Sequence, residues 1–263
     1  MTLRPSLLLI AALVSSALPA LALASDLAPL PSTIIGAGVW SRPAYVGSDE
    51  RVLAAIPVLR YYGTPWFART TQGMLEGGTR TELFDGLTLG TQLAYEGGRD
   101  NKDSDFLKLH HVANLPVSVS YGVHAEWDGN LGPAPVNVLL RYRQELKSNR
   151  GAQTDLRGNI GVYGGDKLKV GLFVQATWAN EKSNQAYYGV AVAQVTSTGL
   201  KAFTADAGVA NTAIGLLWSY DLDAHWLLQG SLEQRQLPSK LSHSPLVQTR
   251  HNSYGSVGVA YRF

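Results

Sequence analysis

Tyr254-Gly255-Ser256-Val257-Gly258-Val259-Ala260-Tyr261-Arg262-Phe263 alternates in steps of two. Tyr261, Val259, Val257 and Gly255 fall on one side. Arg262, Ala260, Gly258, Ser256 and Tyr254 fall on the other, small or polar except for the tyrosine. A period of two is the mark of a strand, because successive side chains point to opposite faces. One apolar face and one small or polar face suit a strand with lipid outside and water inside.

A closing strand that ends on an aromatic residue resembles the assembly signal of bacterial outer-membrane barrels, with Tyr261 and Phe263 as the residues that carry it. The other end of the chain agrees. Arg4 is the only charge before Asp26, Leu7 to Leu18 form an apolar core, and Ala22-Leu23-Ala24 supplies small residues for cleavage. That layout predicts a secretory signal peptide over 1–24, followed by one barrel domain over 25–263. The apolar core is shorter than the roughly 20 residues of a spanning helix. No Cys follows the expected cleavage site, so lipid attachment to Cys is excluded, and a chain with no Cys has no disulfide framework.

Mean hydropathy is −0.02, a value that would suit a soluble protein. A barrel hides its lipid face in alternation, so the average under-reports it. A net charge of +2 is too balanced to argue for nucleic acid or an anionic surface.

The same alternation recurs along the chain. Leu87, Leu89, Thr91, Leu93 and Tyr95 oppose Thr88, Gly90, Gln92, Ala94 and Glu96. Val117, Val119, Tyr121, Val123 and Trp127 oppose Ser118, Ser120, Gly122, His124, Glu126 and Asp128. Val136, Val138, Leu140 and Tyr142 oppose Asn137, Leu139, Arg141, Arg143 and Glu145. About twelve strands are predicted, near 33–41, 52–62, 65–71, 74–83, 86–98, 111–128, 135–147, 154–163, 168–180, 209–222, 225–237 and 252–263. Several reach the roughly 9–11 residues needed to cross a bilayer, where soluble strands average about 5–6. Tyr95, Trp127, Trp178, Trp218, Tyr220, Trp226, Tyr261 and Phe263 lie on the apolar faces near strand ends, where interfacial aromatic girdles sit. Connections after even strands are short. Those after odd strands (42–51, 99–110, 148–153, 181–208, 238–251) are mostly long and polar, which is the barrel rule. The connection at Gln72-Gly73 breaks it, being short where a long loop is due. The fold expected is an all-β, antiparallel transmembrane barrel of about 12 strands with both termini in the periplasm, folded by the barrel assembly machinery into outer-membrane lipid.

The chemistry-bearing residues are sparse. Ser118, Ser120, His124, Glu126 and Asp128 share one face of one strand, but residues two apart lie roughly 6.6–7 Å apart, too far for a Ser–His bond without help from neighbouring strands. They read as lumen lining, and no enzyme is expected. The Arg99–Asp105 segment is acidic but lacks the glycine and closing glutamate of a calcium loop. His110-His111 has no partner at metal-ligand spacing, and the Gly-Gly pairs follow no dinucleotide or phosphate-loop pattern, so no cofactor is expected. The charges on inner faces are Glu96, Glu126, Arg141, Arg143, Glu145, Arg157, Glu233 and Arg235. Both signs are present, so they could pair and plug a lumen or line a pore.

Four segments resemble the MipA/OmpV family of Gram-negative outer-membrane proteins: Gly36–Asp49 with Pro43, Tyr45, Gly47, Ser48 and Asp49; Ile56-Pro57-Val58-Leu59-Arg60-Tyr61; Tyr187-Tyr188-Gly189-Val190 with Gly199-Leu200-Lys201-Ala202-Phe203; and Ser244-Pro245-Leu246-Val247. Thr198 and Phe203 depart mildly from the family's Ser and Tyr. The family is named for a scaffold that binds a murein-degrading lytic transglycosylase and a bifunctional penicillin-binding protein. The resemblance therefore implies a non-enzymatic outer-membrane adaptor for peptidoglycan growth. The alternative is a small-solute channel or an outer-surface receptor or adhesin. The resemblance brings no catalytic residues, and Pro43 to Asp49 read as a turn.

Overall fold

The computed structural model describes residues 33–147 and 149–263. The signal peptide expected over 1–24 lies outside them. Twelve antiparallel strands close on themselves: β1 Ile34–Pro43, β2 Arg51–Tyr62, β3 Trp66–Thr71, β4 Met74–Phe84, β5 Leu87–Glu96, β6 Ser118–Leu131, β7 Ala134–Glu145, β8 Ala152–Gly164, β9 Leu168–Ala179, β10 Gly208–Asp221, β11 Trp226–Gln236 and β12 His251–Arg262. Each strand pairs with its sequence neighbour, and β12 returns to β1 in register from Ile34 opposite Arg262 to Ser41 opposite Gly255. Closure leaves no unpaired edge, which a hydrocarbon surround would penalise.

The outer face is apolar. Ile35, Val39, Leu53, Leu93, Val123, Leu140, Val174, Ile214 and Val257 all stand exposed on it. In a water-soluble protein such a surface would be an aggregation liability, and in a bilayer it is the anchoring belt. Trp226, Tyr261 and Phe263 gather at the end where both described termini lie, with ring centroids 5.2 Å and 5.0 Å from Tyr261. This is the periplasmic end, because every connection there is short.

The strands follow the alternation closely, with two departures. β6 begins at Ser118, not 111, and β5 ends at Glu96, not 98. The intervening chain instead forms a short helix, Asp105–Leu109, capped by Ser104. His111 has a positive φ of 48°, which stops the run, and Pro116 has no N–H to give a ladder. The apolar residues of 112–117 serve a different purpose: Val112 packs into the loops above the barrel.

The short Gln72-Gly73 connection also has a reason. Both residues take positive φ, 51° and 79°, a tight hairpin geometry. The turn then folds inward over the mouth. Gln72 Nε2 donates to Glu233 Oε2 of β11 at 3.0 Å. A Cβ on Gly73 would fall 2.7 Å from the Trp40 ring of β1, so only glycine allows that approach.

Candidate functional site

The inner face holds the polar chemistry, and it is not wet. Arg69 on β3 donates to Glu76 on β4 at 2.6 Å and to Glu126 on β6 at 2.9 Å. Arg141 on β7 reaches back to Glu76 at 2.8 Å and sideways to Asp155 on β8 at 2.8 Å. Arg143 holds Asp155 at 3.0 Å and also pairs with Glu96 on β5. Ser120 Oγ, Thr177 Oγ1 and Asn137 Nδ2 donate to the remaining lone pairs of Glu96, Asp155 and Glu126. The result is one continuous ion-pair network from β3 to β8, bonded to β9 through Thr177.

In a water-filled pore these side chains would be accessible. Here Arg141 is 2% exposed and Asp155 1%. Arg69, Glu76, Gln92, His124, Arg143 and Glu233 are buried as well. On the far side of the lumen Arg235 pairs with Glu233 and lies 4.1 Å above the Tyr254 ring, while Tyr254 stacks on Trp40. Charges of both signs thus neutralise and fill the middle of the barrel. Pairing with satisfied lone pairs is what makes buried charge tolerable.

The outer mouth is roofed by the long loops. Ala44, Tyr45, Leu107, Val112, Val190, Leu200 and Leu246 form one apolar cluster. Tyr188, Ala205, Leu237 and Leu241 form a second, with Val46, Tyr187, Phe203 and Val247 against it. The lid is therefore a small core of its own, built from loops that meet only above the barrel. Its largest element is the helix Glu181–Tyr188, capped by Asn180. Arg150 ties it down, pairing with Glu145 at 2.7 Å, donating to the Tyr187 hydroxyl at 2.8 Å and bonding the Pro116 carbonyl. Burial pushes the Tyr45 and Tyr187 hydroxyls well above the usual phenol range, so both remain neutral donors at physiological pH.

The Pro43–Asp49 segment is the latch of this lid. Gly47 sits at φ 97°, a conformation that suits glycine. Its N–H donates to Asn252 Oδ1 at 2.7 Å, and Asn252 Nδ2 donates to the Ser48 carbonyl at 2.9 Å. The Tyr45 hydroxyl donates to Gln248 Oε1 at 3.0 Å. Pro43, Tyr45, Gly47 and Ser48 are buried and Asp49 is exposed. Asn252→Ala removes the acceptor of one of these bonds and the donor of another, at a cost of about 1–3 kcal/mol. Amides of 181–200 then exchange faster with deuterium while those of β6 to β9 stay protected, as mass spectrometry would record.

The inner charges named from sequence (Glu96, Glu126, Arg141, Arg143, Glu145, Arg157, Glu233 and Arg235) all lie on the inner face. Glu145 belongs to the lid clamp, and the others to the lumen. Sequence reading missed Arg69, Glu76 and Asp155. Asp155 shares its face with Arg157 two residues on, so parity alone could have found it. Arg69 and Glu76 sit on β3 and β4, where β3 is only 6 residues long and alternation has little length to show itself. Ser120 and His124 are not brought together: the Ser120 hydroxyl is given to Glu96, and His124 packs edge-on against Phe67 at 5.1 Å. In the 99–105 loop, Asp103 pairs with Arg42, Asp100 caps a helical turn and Asp105 pairs with Lys108.

The profile of the family described as "MltA-interacting protein MipA" matches residues 35–263. The chain belongs to this family. With its closed barrel and apolar belt it is an outer-membrane protein. The Escherichia coli K12 relative named "Putative outer membrane protein YiaT" is 25% identical over 239 residues, covering 87% of this chain and 90% of the relative. Among solved structures, a NanC porin aligns over 88% of this chain and 100% of its own at 11% identity with a TM-score of 0.49. The translocator domain of the autotransporter NalP from Neisseria meningitidis aligns over 98% and 97% at 14% identity with a TM-score of 0.43. At these scores neither likeness carries a function across.

Proposed function

We propose that this MipA-family barrel is a non-enzymatic scaffold that holds murein synthesis and remodelling enzymes at the outer membrane. The observation that carries the reading is the buried, ion-paired lumen beneath a folded lid. A barrel whose inner side chains are withdrawn from water is built as an anchor rather than as a passage. The partner proposed is a lytic transglycosylase, a reading that the family's description as an MltA-interacting protein favours, with a bifunctional penicillin-binding protein proposed as the second. A standard interface needs about 800 Å² from each partner. No single turn of the periplasmic rim offers that, so docking spreads over several of them. Crosslinking in intact cells followed by affinity purification recovers a lytic transglycosylase on this reading, and repeated recovery of none contradicts it.

The ordered lid favours a second reading, an outer-surface receptor, because two apolar clusters fix the external loops in one shape. Binding of a cell-surface or secreted ligand that is lost on deleting 181–205 would select it.

Tyr261 and Phe263 serve in this account as the signal read by the barrel assembly machinery. Deleting Phe263 removes the terminal ring of the outward aromatic group. The folded, heat-modifiable fraction in outer membranes then falls several-fold, while the same deletion refolds normally from urea into detergent.

A further inference from the structure

The lipid-facing wall is indented where the β3–β4 hairpin leaves it. β2 and β3 meet in register only at Arg60, Tyr61 and Tyr62, whereas β2 follows β1 from Arg51 to Arg60. The ring closes through those three positions. Outward of them β2 and β3 part, because the Gln72-Gly73 turn bends into the lumen towards Glu233 and Trp40. Pro57, which has no N–H to give a ladder, falls on the parted stretch of β2.

Side-chain size deepens the parting into a trough. Tyr61, Ala68, Gly77 and Leu93 form one row across β2, β3, β4 and β5. The two ends of the row are large and exposed, while the middle two carry only a methyl group and a hydrogen. The resulting recess of about 390 Å³ has Leu59 on one flank, Leu93, Tyr95 and Val119 on the other, and Ala68 and Gly77 along its floor. That volume falls in the range of small-molecule sites, about 300–1,000 Å³. The recess lies towards the outer surface, since Tyr95 is one residue from the outer end of β5 and the Gln72-Gly73 turn lies just above the floor. A cation stands over it. The Leu146 N–H bonds the Val119 carbonyl at 2.9 Å, and the exposed Lys147 donates to the Val117 carbonyl at 3.1 Å. An ammonium has three donors, so two are left for an anion.

We infer that this trough holds one acyl chain of lipid A, the phosphorylated glycolipid of the outer leaflet, with a lipid A phosphate against Lys147. Lipid tails are as apolar as the wall, so hydrophobicity alone selects nothing here. Shape and charge do. A chain lying in a fitted trough gains dispersion contacts on three sides that a flat wall offers on one. The ammonium above it favours an anionic head group at the same depth. The site goes beyond the scaffold reading and stands or falls independently of any murein partner.

The test incubates the whole mature barrel, refolded in detergent, with purified lipid A or with phosphatidylglycerol, and counts the lipids retained per chain by native mass spectrometry. The unaltered chain should retain one lipid A and no phosphatidylglycerol. Ala68→Phe, which puts a ring on the floor of the trough, should cut retention about tenfold, as losing roughly two buried methylene groups would. Lys147→Gln should cut it about fivefold, the worth of one surface cation beside an anionic lipid, and it serves if Ala68→Phe does not fold. Val174→Phe, on the exposed face of β9 across the barrel, should leave retention unchanged. The site is overturned by no retention in the unaltered chain, by equal retention of phosphatidylglycerol, or by undiminished retention in either trough variant. A two-chain mass without lipid, lost on Ala68→Phe, would give the trough to a second copy and overturn it as well.

Discussion

Arg141→Ala should lower the stability of the folded barrel by about 3–5 kcal/mol, the cost of breaking a buried ion pair from one side. Arg141 bonds Glu76 and Asp155 at 2.8 Å each and is almost entirely withdrawn from water. Truncation leaves two buried carboxylates with fewer cations. Arg69 still holds Glu76, and Arg143 still holds Asp155, so the loss stays within that range. Denaturant titration of the refolded protein in lipid vesicles would measure it. The triple variant Glu76→Gln, Arg141→Met, Asp155→Asn removes the charges together. It should recover much of the loss, because the charges that remain are still matched, Arg69 with Glu126 and Arg143 with Glu96, and neutral replacement of buried paired charges is close to neutral. Equal damage in the single and triple variants would mean that packing, not charge, is what Arg141 supplies.

Gly36→Val should prevent the barrel from closing. Gly36 lies on β1 opposite Ala260 of β12. A Cβ there would fall 2.0 Å from the Val259 carbonyl oxygen and 2.8 Å from the Ala260 Cβ. The obstacle is backbone of the closing strand, which cannot swing aside as a side chain would. Ordinary overpacking costs about 1–3 kcal/mol, and a seam that cannot approach hydrogen-bonding distance also forfeits ladder bonds. The folded fraction seen by heat-modifiability should fall on the order of tenfold. Gly158→Ala provides the contrast: its Cβ would meet only a Val174 methyl at 4.0 Å, and the fold should tolerate it. If Gly36→Val folds as well as Gly158→Ala, the β1–β12 register is wrong.

Much of this architecture could be read from the sequence, for a physical reason. A lipid-facing strand must keep every second side chain apolar over its full crossing, so Leu87–Tyr95, Val119–Trp127 and Val136–Tyr142 display the period without help from tertiary structure. The turn and loop parity is equally local. What local pattern cannot show is which side chains meet across a lumen or above a mouth. Arg141 and Arg143 could be placed on the inner face, yet Glu76 reaches Arg141 only because β4 and β7 curve round the same space. Val112 and Leu115 looked like strand residues because their spacing is the same in either role; the lid that claims Val112 is built from four separate loops. Gly47 and Asn252 lie far apart in sequence, and only closure of β12 on β1 brings them together.

The filled lumen is what separates an anchor from a passage. The direct measurement is ion conductance of the purified, refolded full barrel in planar bilayers, with insertion verified by heat-modifiability and protease protection. Inserted protein should give no steady conductance steps at either polarity, because the Arg69–Glu76–Arg141–Asp155–Arg143 network and the lid leave no continuous water path. Reproducible steps of uniform size from the unaltered chain would contradict the filled lumen and with it the scaffold reading.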